Sequence, residues 1–586
     1  MDLYDRVNTW IKGDPDPRSR DELTALKEKA RSGDVAAEKD LAERFVGPLE
    51  FGTAGLRGVL GAGESRMNIA VILRTTLGLA RYLLADASAD VKNRGVVVGY
   101  DGRRMSREFA EITAGVLAAQ GIPAHFSPGV CPTPVCAYAV TKLGAAAGVM
   151  ITASHNPPEY NGYKAYWGNG AQIIPPQDTG IAAAIEESPV AAEVPLLAFA
   201  EAKTKGLVRE LDPSLEEGYL QAVQALSVQR GGDRTAPIAY TALHGVGNRL
   251  VRETLRRAGF SCVESVAEQA EPDGEFPTVA FPNPEEKGAL DLSYALANRT
   301  GADIIIANDP DVDRLAIAVR KAPGDQAFLQ LTGNQVGVLL GHYLLTEGDQ
   351  SGERLVLASC VSSPQLGVIA KKLGVAYEET LTGFKWIANR AMALESNANK
   401  RFVFGYEEAL GYTVGPLVRD KDGISAALLF AELWARRRSA GKTMQDELEA
   451  ISRTYGLFVS GQVSITMKGS DGLAQIQQCM ARLRGQAIDK VGPLAVLATS
   501  DVKAGTRKAT GGAETKLALP ASDVLIYELA GQSRIIARPS GTEPKIKFYF
   551  DVCEEVREGE PLKDAEARAN ATMEALKKAF TTIAGV

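Results

Sequence analysis

The spacing of apolar residues along the chain predicts a helical extension followed by α/β layers. Apolar positions recur at helical intervals through residues 22–31 and 35–45, so residues 1–48 are predicted to form helices. Farther on, short apolar runs bounded by glycine and polar residues are typical of buried strands. The first α/β region is predicted to have a helix at 106–119 and strands at 94–100, 123–126 and 148–152.

Three further regions are predicted after this one. The stretch 189–197, rich in alanine, valine and proline, is expected to lie at an interdomain boundary. From about residue 456 the pattern changes to the alternation that is typical of half-exposed strands. The predicted elements are strands at 238–242, 303–307, 354–358, 401–405, 458–466 and 545–553 and helices at 244–258, 426–438 and 565–580.

This order of elements predicts the α/β fold class, with three α/β domains and a C-terminal α+β domain. We expect the domains to comprise residues 1–205, 206–324, 325–455 and 456–586.

Charge and composition remove several classes of protein from consideration. The 586 residues include 65 Lys and Arg against 72 Asp and Glu, a formal net charge of −7. A mildly acidic chain lacks the excess of positive charge that is typical of proteins that bind nucleic acid. No apolar run approaches the roughly 20 residues that span a bilayer. We therefore expect neither nucleic acid nor membrane as a partner.

The N-terminus and the cysteines favour a cytoplasmic protein. The first residues are polar and acidic, with no basic segment before an apolar run, so no signal peptide is predicted. Of the six cysteines only Cys131 and Cys136 are close in sequence, and no second pair or histidine cluster completes a zinc site.

The first loop that could carry chemistry follows the strand predicted at 148–152. It contains Ser154, His155 and Lys164 in the sequence TASHNPPEYNGYK. Proline and the Asn-Gly pair fix the backbone of such a loop, which would present Ser154 at its tip. A serine hydroxyl needs neighbours to become a nucleophile, and His155 and Lys164 are candidates. The alternative is a capping serine in a surface turn.

The second loop carries three aspartates directly after the strand predicted at 303–307. Asp309, Asp311 and Asp313 alternate in NDPDVDR. Three such charges repel each other and call for a cation, and oxygen ligands suit Mg²⁺ or Ca²⁺. The EF-hand pattern is absent, so Mg²⁺ shared with a phosphate is favoured. The alternative is a solvated acidic turn.

Two later loops have polar groups that suit a sugar phosphate. Glu407 lies in GYEEALGY, where carboxylates could accept hydrogen bonds from sugar hydroxyls or could simply begin a helix. Arg538, Ser540, Gly541 and Thr542 lie in RPSGTEPK, which could cradle a phosphate or form an ordinary turn. Weaker candidates are Arg57 in FGTAGLRG and Thr382, Gly383 and Lys385 in TGFK.

Taken together, the four loops resemble those of the α-D-phosphohexomutase superfamily in sequence and in order, over most of the chain. FGTAGLRG, GYDGRRMS, TALHGVG, PNPEEKGAL and TGFKW add to the resemblance. Within the superfamily the chain is most similar to the long phosphoglucomutase branch, which includes phosphopentomutases and glucose-1,6-bisphosphate synthases. GYEEALGY followed by Lys421-Asp422-Gly423 carries this finer similarity.

The resemblance implies four domains around a central active-site cleft, and a role for each residue. Ser154 would carry the phosphoryl group, and its phosphate would join the three aspartates in holding Mg²⁺. Lys164 would serve as general acid or base, with Lys385 as a second active-site lysine. Arg57 and Arg314 would lie near the reacting phosphate. Thr382, Gly383 and Glu407 would contact the sugar, and Arg538, Ser540, Gly541 and Thr542 would hold the phosphate that does not react.

The implied reaction interconverts glucose 1-phosphate and glucose 6-phosphate through glucose 1,6-bisphosphate, in a monomer or weak homodimer. Mannose and pentose phosphates are alternative substrates, and a phosphatase, a bisphosphate synthase and a non-catalytic sugar-phosphate sensor are alternative functions. One departure concerns the sugar loop. The bacterial phosphomannomutase/phosphoglucomutase branch has a serine and a histidine there, whereas this chain has Ala409 and Tyr412 nearby.

Overall fold

The computed structural model describes residues 2–50, 55–229, 231–322, 324–467, 471–540 and 545–586. The chain forms two compact units. The first consists of Met1–Leu331 with Gly411–Ala435, and the second consists of Thr332–Leu410 with Arg436–Val586.

Three helices precede the first sheet, in agreement with the predicted extension. They are α1, Leu3–Gly13, α2, Pro17–Arg31, and α3, Val35–Glu43. An aspartate precedes each helix, and its carboxylate accepts a hydrogen bond from a backbone N–H of the first turn. The apolar faces of the helices share a small core formed by Val7, Leu23, Ala30, Ala37, Leu41 and Phe45.

The first sheet of this unit has six strands in the order β1-β5-β4-β2-β3-β6. Pairing is antiparallel from β1 to β4 and parallel from β4 to β6. The strands are β1, Leu56–Val59, β2, Val96–Tyr100, β3, Ala124–Phe126, β4, Ala147–Ile151, β5, Tyr160–Trp167, and β6, Val208–Glu210. Its helices are α4, Ile69–Ala85, α5, Val91–Arg94, α6, Ser106–Ala119, α7, Thr133–Leu143, α8, Gln177–Glu186, and α9, Phe199–Thr204.

The segment 189–197, predicted to lie at an interdomain boundary, instead packs within this α/β layer. Ala191 and Val194 are buried against α4, and the Leu197 N–H donates to the Gly115 carbonyl at 3.2 Å. Because β6 pairs with β3, the sheet also continues past residue 205.

The second sheet of the first unit has the order β11-β10-β9-β7-β8. Strands β9, β7 and β8 are parallel, and β10 and β11 are antiparallel additions at one edge. The strands are β7, Ile238–Thr241, β8, Val263–Ser265, β9, Ile304–Ala307, β10, Ala316–Arg320, and β11, Phe328–Gln330. The helices are α10, Pro213–Ala225, α11, Asn248–Arg257, and α12, Asp291–Thr300.

The helix predicted from residue 244 begins four residues later, at Asn248. Leu243 and His244 have left-handed backbone angles, φ 47° and 58°, which a helix cannot accommodate. The residues before α11 contact the loop after β9 instead. The Val246 N–H donates to the Pro310 carbonyl at 2.9 Å, and a Cβ on Gly245 would lie 2.3 Å from the Pro310 Cα.

The second unit begins with a parallel sheet in which β12 pairs with β13 on one side and with β14 on the other. Its elements are α13, Gly333–Glu347, β12, Arg354–Ser359, α14, Gln365–Lys372, β13, Ala376–Thr380, α15, Phe384–Ala398, and β14, Arg401–Glu407. The chain then returns to the first unit with β15, Gly411–Val414, and most of α16, Gly423–Ser439. The helix α17, Met444–Tyr455, belongs to the second unit again.

The C-terminal part of the second unit is an antiparallel sheet with two helices, as the alternating pattern predicted. The strand order is β16-β23-β22-β21-β18-β19-β20, and β17 pairs with β18. Aromatic residues of β23 pack against Phe580 of the last helix. The elements are β16, Leu457–Thr466, α18, Gly472–Gly485, β17, Lys490–Val491, β18, Leu494–Asp501, β19, Thr506–Ala509, β20, Glu514–Lys516, β21, Leu525–Leu529, β22, Arg534–Pro539, β23, Lys545–Glu554, and α19, Leu562–Ala584.

Three α/β sheets and a C-terminal α+β sheet thus confirm the predicted fold class. None of the helices in the described ranges combines the length and the apolar character needed to cross a bilayer.

The start of α16 packs directly on the loop that follows β9. The Gly423 N–H donates to the Val312 carbonyl at 3.1 Å. A Cβ at Gly423 would lie 2.4 Å from the Arg314 carbonyl oxygen, 2.6 Å from Asn308 Nδ2 and 2.7 Å from the Val312 carbonyl oxygen. Only glycine therefore allows this close approach.

Replacing Gly423 by alanine is expected to destabilise the first unit by about 1–3 kcal/mol, because the loop must move to accept a methyl group. The measurement is the melting temperature by scanning fluorimetry. Gly129→Ala is the control, because nothing lies within 4 Å of a Cβ built there. Equal melting temperatures for the two variants would contradict the prediction.

Candidate active site

Ser154 lies at a strained turn after β4. Its backbone has φ 53°, a left-handed value that non-glycine residues rarely adopt, and its side chain is buried. The Ser154 N–H donates to Thr152 Oγ1 at 2.8 Å, which helps to hold the turn. Strain of this kind persists where the surroundings fix the backbone, and it occurs often at active sites.

Arg103 fixes the carbonyl groups of the same loop. Its guanidinium donates to the Ser154 carbonyl at 2.6 Å and to the carbonyls of Asn156, Pro157 and Tyr160. Asp101 lies 3.5 Å from its Nε and offsets the buried charge. No role for Arg103 could be predicted from the motif GYDGRRMS, because a contact with residues more than 50 positions away leaves no local pattern.

The three aspartates predicted to bind metal form a buried cluster at the carboxyl end of β9. One carboxylate oxygen from each of Asp309, Asp311 and Asp313 lies within 4.8 Å of the other two. Ser154 Oγ donates to Asp309 Oδ2 at 2.8 Å. The fold therefore brings the predicted nucleophile against the predicted metal ligands, although 155 residues separate Ser154 from Asp309.

Two lysines offset part of the negative charge of the cluster. Lys164 Nζ lies 2.7 Å from Asp311 Oδ2 and 2.9 Å from Asp313 Oδ2, and Lys421 Nζ lies 3.2 Å from Asp313 Oδ2. Burial alone would lower the pKa of Lys164, but Asp311, Asp313 and Asp420 outweigh it and raise that pKa. Lys164 is therefore held protonated. Lys421 was quoted for resemblance only and had no predicted role.

The cluster retains capacity for a cation. Asp311 Oδ1 and Asp313 Oδ1 are buried and, among the described residues, accept no hydrogen bond. Burial, followed by the charges of Asp311 and Asp313, raises the pKa of Asp309 well above its ordinary value. Lys164, by contrast, lowers the pKa of Asp311 and of Asp313 despite their burial, so both stay ionised. Two ionised carboxylates with open oxygens beside Asp309 suit a hard divalent ion such as Mg²⁺.

Arg57, Arg314 and His155 surround Ser154 with cationic and neutral donors. Arg57 donates to Asn156 Oδ1 at 3.0 Å, while burial and then Arg314 lower the pKa of Arg57 to about 10. Arg314 Nε lies 4.0 Å from oxygens of Asp309 and Asp313. Guanidinium groups close enough to affect one another in a buried place favour an anion such as phosphate.

His155 is held as the neutral imidazole. Burial is the main reason why the pKa of His155 lies well below its ordinary value, and the charges of Arg314 and Arg57 lower it further. His155 Nδ1 lies 3.1 Å from Ser154 Oγ, within hydrogen-bond reach. A neutral ring nitrogen at this distance can accept a proton from the serine hydroxyl.

Thr133 is a further contact that the sequence analysis missed. Its hydroxyl donates to Asp311 Oδ2 at 2.7 Å, and its N–H donates to the Asp311 carbonyl at 2.9 Å. These two bonds tie the first turn of α7 to the aspartate loop across 178 positions of sequence. The contact orients Asp311, and a threonine at the start of a helix gives no sign of such a partner.

The predicted sugar loop occupies the second unit. Glu407 is the last residue of β14, so the alternative that these acids begin a helix is wrong. Glu407 Oε1 accepts from the Gly383 N–H at 2.6 Å. Thr382 Oγ1 is buried and, within the described part of the chain, has no hydrogen-bond partner, and Lys385 is buried with its Nζ 5.5 Å from the centroid of the Trp386 ring. These residues are therefore neighbours, as their short loops suggested.

The predicted phosphate loop follows β22. Arg538 belongs to that strand, in register with Lys547, and the Ser540 N–H donates to the Lys545 carbonyl at 2.7 Å. Gly541 and Thr542 lie outside the described residues, as do the first four residues of FGTAGLRG.

Four family models of successive domains match the chain. They describe phosphoglucomutase/phosphomannomutase α/β/α domain I at residues 48–190, domain II at 217–324, domain III at 332–455 and the C-terminal domain at 507–569. The solved structure of Paramecium parafusin, a phosphoglucomutase, has a TM-score of 0.66 at 18% identity, over 92% of this chain and 96% of that one, which supports the fold.

Curated relatives carry three different names at similar identity. A phosphopentomutase of Pongo abelii is 38% identical, over 91% of this chain and 89% of its own. A probable phosphomannomutase of Haemophilus influenzae is 42% identical over 85% and 95%, and a phosphoglucomutase of Staphylococcus epidermidis is 37% identical over 86% and 90%.

A buried serine beside an aspartate cluster, on a four-domain α/β scaffold, is the arrangement of an enzyme that transfers phosphoryl groups. The chain belongs to the phosphoglucomutase/phosphomannomutase family, which confirms the predicted α-D-phosphohexomutase superfamily. It is accordingly an isomerase of the intramolecular phosphotransferase class.

Replacing Arg103 by lysine is expected to loosen the Ser154 loop and to cost about 2–4 kcal/mol of stability, because one ammonium group cannot reach four carbonyls. Hydrogen exchange of residues 152–164 and the melting temperature measure this effect. Arg104→Lys is the control, because the Arg104 side chain is half-exposed and pairs with Glu275. Unchanged exchange in Arg103→Lys would refute the assigned role.

Proposed function

We propose that this enzyme is a phosphoglucomutase, which interconverts glucose 1-phosphate and glucose 6-phosphate through phosphorylated Ser154 and glucose 1,6-bisphosphate. The observation that carries the proposal is the position of Ser154 Oγ, buried 2.8 Å from Asp309 Oδ2. The aspartates proposed to bind metal are therefore next to this hydroxyl, and the positive charges of Arg57 and Arg314 act on the neighbouring His155.

The proposed metal is Mg²⁺, held by Asp309, Asp311, Asp313 and an oxygen of phosphorylated Ser154. When bound, the ion would offset negative charge on the phosphoryl group, which is the main requirement of phosphoryl transfer. Arg57 and Arg314 would add hydrogen bonds and positive charge at the same group.

In the forward step a hydroxyl oxygen of the sugar monophosphate attacks the phosphorus of phosphoserine. The bond from phosphorus to Ser154 Oγ breaks, Oγ keeps the electron pair and takes up one proton, and the proton that the sugar hydroxyl loses restores the donor that supplied it. Lys164, held protonated by Asp311 and Asp313, suits the donor role better than the acceptor role. The sugar then carries two phosphates.

In the return step Ser154 Oγ attacks the other phosphate of the bisphosphate. The hydroxyl proton would pass to neutral His155, whose Nδ1 lies 3.1 Å away. The sugar oxygen would leave with the electron pair of its bond to phosphorus and would take up the proton that His155 then releases. The net result is a phosphoryl group moved between two positions of one sugar.

Roles for the second unit follow from the family resemblance. We propose that Glu407, with Thr382, Gly383 and Lys385, binds sugar hydroxyls, and that Arg538, Ser540, Gly541 and Thr542 hold the phosphate that does not react. The buried Thr382 hydroxyl without a partner among the described residues supports a polar ligand there, since such groups are normally hydrogen-bonded.

A pentose phosphate is the second candidate substrate. Relatives named phosphopentomutase match about nine tenths of this chain, and this similarity is the observation that favours a pentose phosphate as substrate. Mannose 1-phosphate is a third, and an acyl phosphate donor would make the enzyme a bisphosphate synthase.

The first test offers glucose, mannose, ribose and deoxyribose 1-phosphates with Mg²⁺ and a trace of the matching bisphosphate. The expected result is fastest isomerisation of glucose 1-phosphate and a loss of at least about a thousandfold in Ser154→Ala, because the nucleophile is removed. Ser293→Ala, at a buried serine of α12, should retain activity.

Each other outcome of this test would change the assignment. Faster turnover of a pentose phosphate would replace glucose but keep the phosphoserine chemistry. Retained activity in Ser154→Ala would refute that chemistry, and a bisphosphate product from an acyl phosphate without isomerisation would assign a synthase.

Metal removal tests the aspartate cluster. Chelation is expected to abolish isomerisation, and Mg²⁺ should restore it. Asp311→Asn should raise the Mg²⁺ concentration for half-maximal rate by about tenfold or more, because one ligand charge is lost. Asp325→Asn is the control, since Asp325 is exposed. An unchanged Mg²⁺ requirement in Asp311→Asn would contradict the proposed site.

A further inference from the structure

Asp420 is a buried carboxylate with a complete set of partners inside the first unit. Its Oδ2 accepts from the Tyr166 hydroxyl at 2.8 Å and from Gln172 Nε2 at 2.7 Å. Its Oδ1 accepts from the Lys421 N–H at 2.8 Å. The residue is only 1% exposed, so both oxygens depend on these donors.

The same donors connect Asp420 to the aspartate cluster. Tyr166 follows Lys164 by two positions on β5, so the two side chains project from one face of the strand. Lys164 pairs with Asp311 and Asp313. Lys421 contacts both carboxylates, because its Nζ lies 3.2 Å from Asp313 Oδ2 and 3.4 Å from Asp420 Oδ1.

Burying a carboxylate destabilises the fold by several kcal/mol per ion, because the charge is removed from water, unless nearby positive charge compensates it. Tyr166 and Gln172 are neutral donors that fix Asp420 without cancelling its charge. Burial and then Asp420 raise the pKa of Tyr166 well above its ordinary value, so the phenol stays a donor. The charge of Asp420 therefore acts on nearby lysines, and Lys421 is the one that it contacts, with Nζ 3.4 Å from Asp420 Oδ1.

We propose that Asp420 is a positioning residue that acts on the aspartate cluster through Lys421. It holds the Lys421 amine against Asp313 Oδ2 and offsets part of its positive charge, which leaves Asp313 Oδ1 able to bind a cation. Removing the Asp420 charge would leave the lysine uncompensated beside the cluster and would weaken cation binding. The proposal deepens the proposed function and rests on its metal site.

A double-mutant cycle on the full-length protein tests this inference. The variants are Asp420→Asn, Lys421→Met and the pair, and the probe is Mn²⁺ binding followed by electron paramagnetic resonance without substrate. Asp420→Asn is expected to weaken Mn²⁺ binding by about tenfold in the wild-type background. In the Lys421→Met background the same change should alter binding by less than about twofold, because the residue through which it acts is gone.

Isomerisation rates provide the second readout of the cycle. The loss caused by Asp420→Asn should lie mainly in kcat and should nearly vanish in Lys421→Met. Equal effects in the two backgrounds, in binding or in rate, would overturn the proposal, as would tighter Mn²⁺ binding in Asp420→Asn.

Two further variants separate positioning from stability. Tyr166→Phe removes one donor to Asp420 and should weaken Mn²⁺ binding in the same direction by a smaller factor, which keeps the test available if Asp420→Asn does not fold. Asp422→Asn is the matched control. Asp422 is also buried but accepts from Tyr219 and the first turn of α16, so its loss should lower the melting temperature without dependence on Lys421.

The outcomes distinguish this proposal from the proposed function. Retained isomerisation in Ser154→Ala would refute the phosphoserine mechanism but would leave the Mn²⁺ cycle interpretable. A Mn²⁺ cycle without coupling between Asp420 and Lys421 would refute the present inference even if Ser154→Ala were inactive.

Discussion

Burial of three like charges at the end of β9 is the constraint on which the rest of the site depends. Asp309, Asp311 and Asp313 cannot all remain ionised in an apolar environment unless opposite charge and hydrogen bonds compensate them. Lys164 comes from the first sheet and Lys421 from the segment just before α16, so the compensation itself ties separate elements of the first unit together. The chemistry and the packing of this unit therefore share the same contacts.

The loops of the site are held by close backbone approach as well as by charge. Gly245 and Gly423 both contact the aspartate loop where a side chain would collide with it. Ser154 and Val312 keep left-handed backbone angles in the middle of buried loops. Such conformations are unfavourable in isolation, so other contacts must hold them. The hydrogen bonds of Arg103 fix the loop of Ser154, and those of Thr133 fix Asp311.

Much of this arrangement could be predicted from local sequence, and the remainder could not for physical reasons. The helix at 106–119 agrees with α6, because its apolar period is undisturbed over the whole element. The helix expected from residue 244 was placed too early, since Leu243 and His244 have left-handed backbone angles. Their N–H groups donate to Thr241 Oγ1 and to the Gln269 carbonyl, which are contacts that a helical pattern does not record. The aspartate cluster was predictable because its members are neighbours in sequence. Thr133 and Asp420 were not, because their partners lie 178 and 254 positions away and leave no periodic trace.

The proposed mechanism also explains how one scaffold can serve relatives named for different sugars. In that mechanism Ser154, the aspartates and the two arginines would act on a phosphoryl group, which is the same in glucose, mannose and pentose phosphates. A sugar is distinguished by its hydroxyls, and a single small group is worth only about 1–3 kcal/mol in a pocket. A few changes in the residues that contact hydroxyls can therefore redirect the enzyme while the buried charges, which are costly to rearrange, stay as they are. For this reason the choice of sugar can change independently of phosphoryl transfer. The buried charges are required for the transfer and not for the choice of sugar.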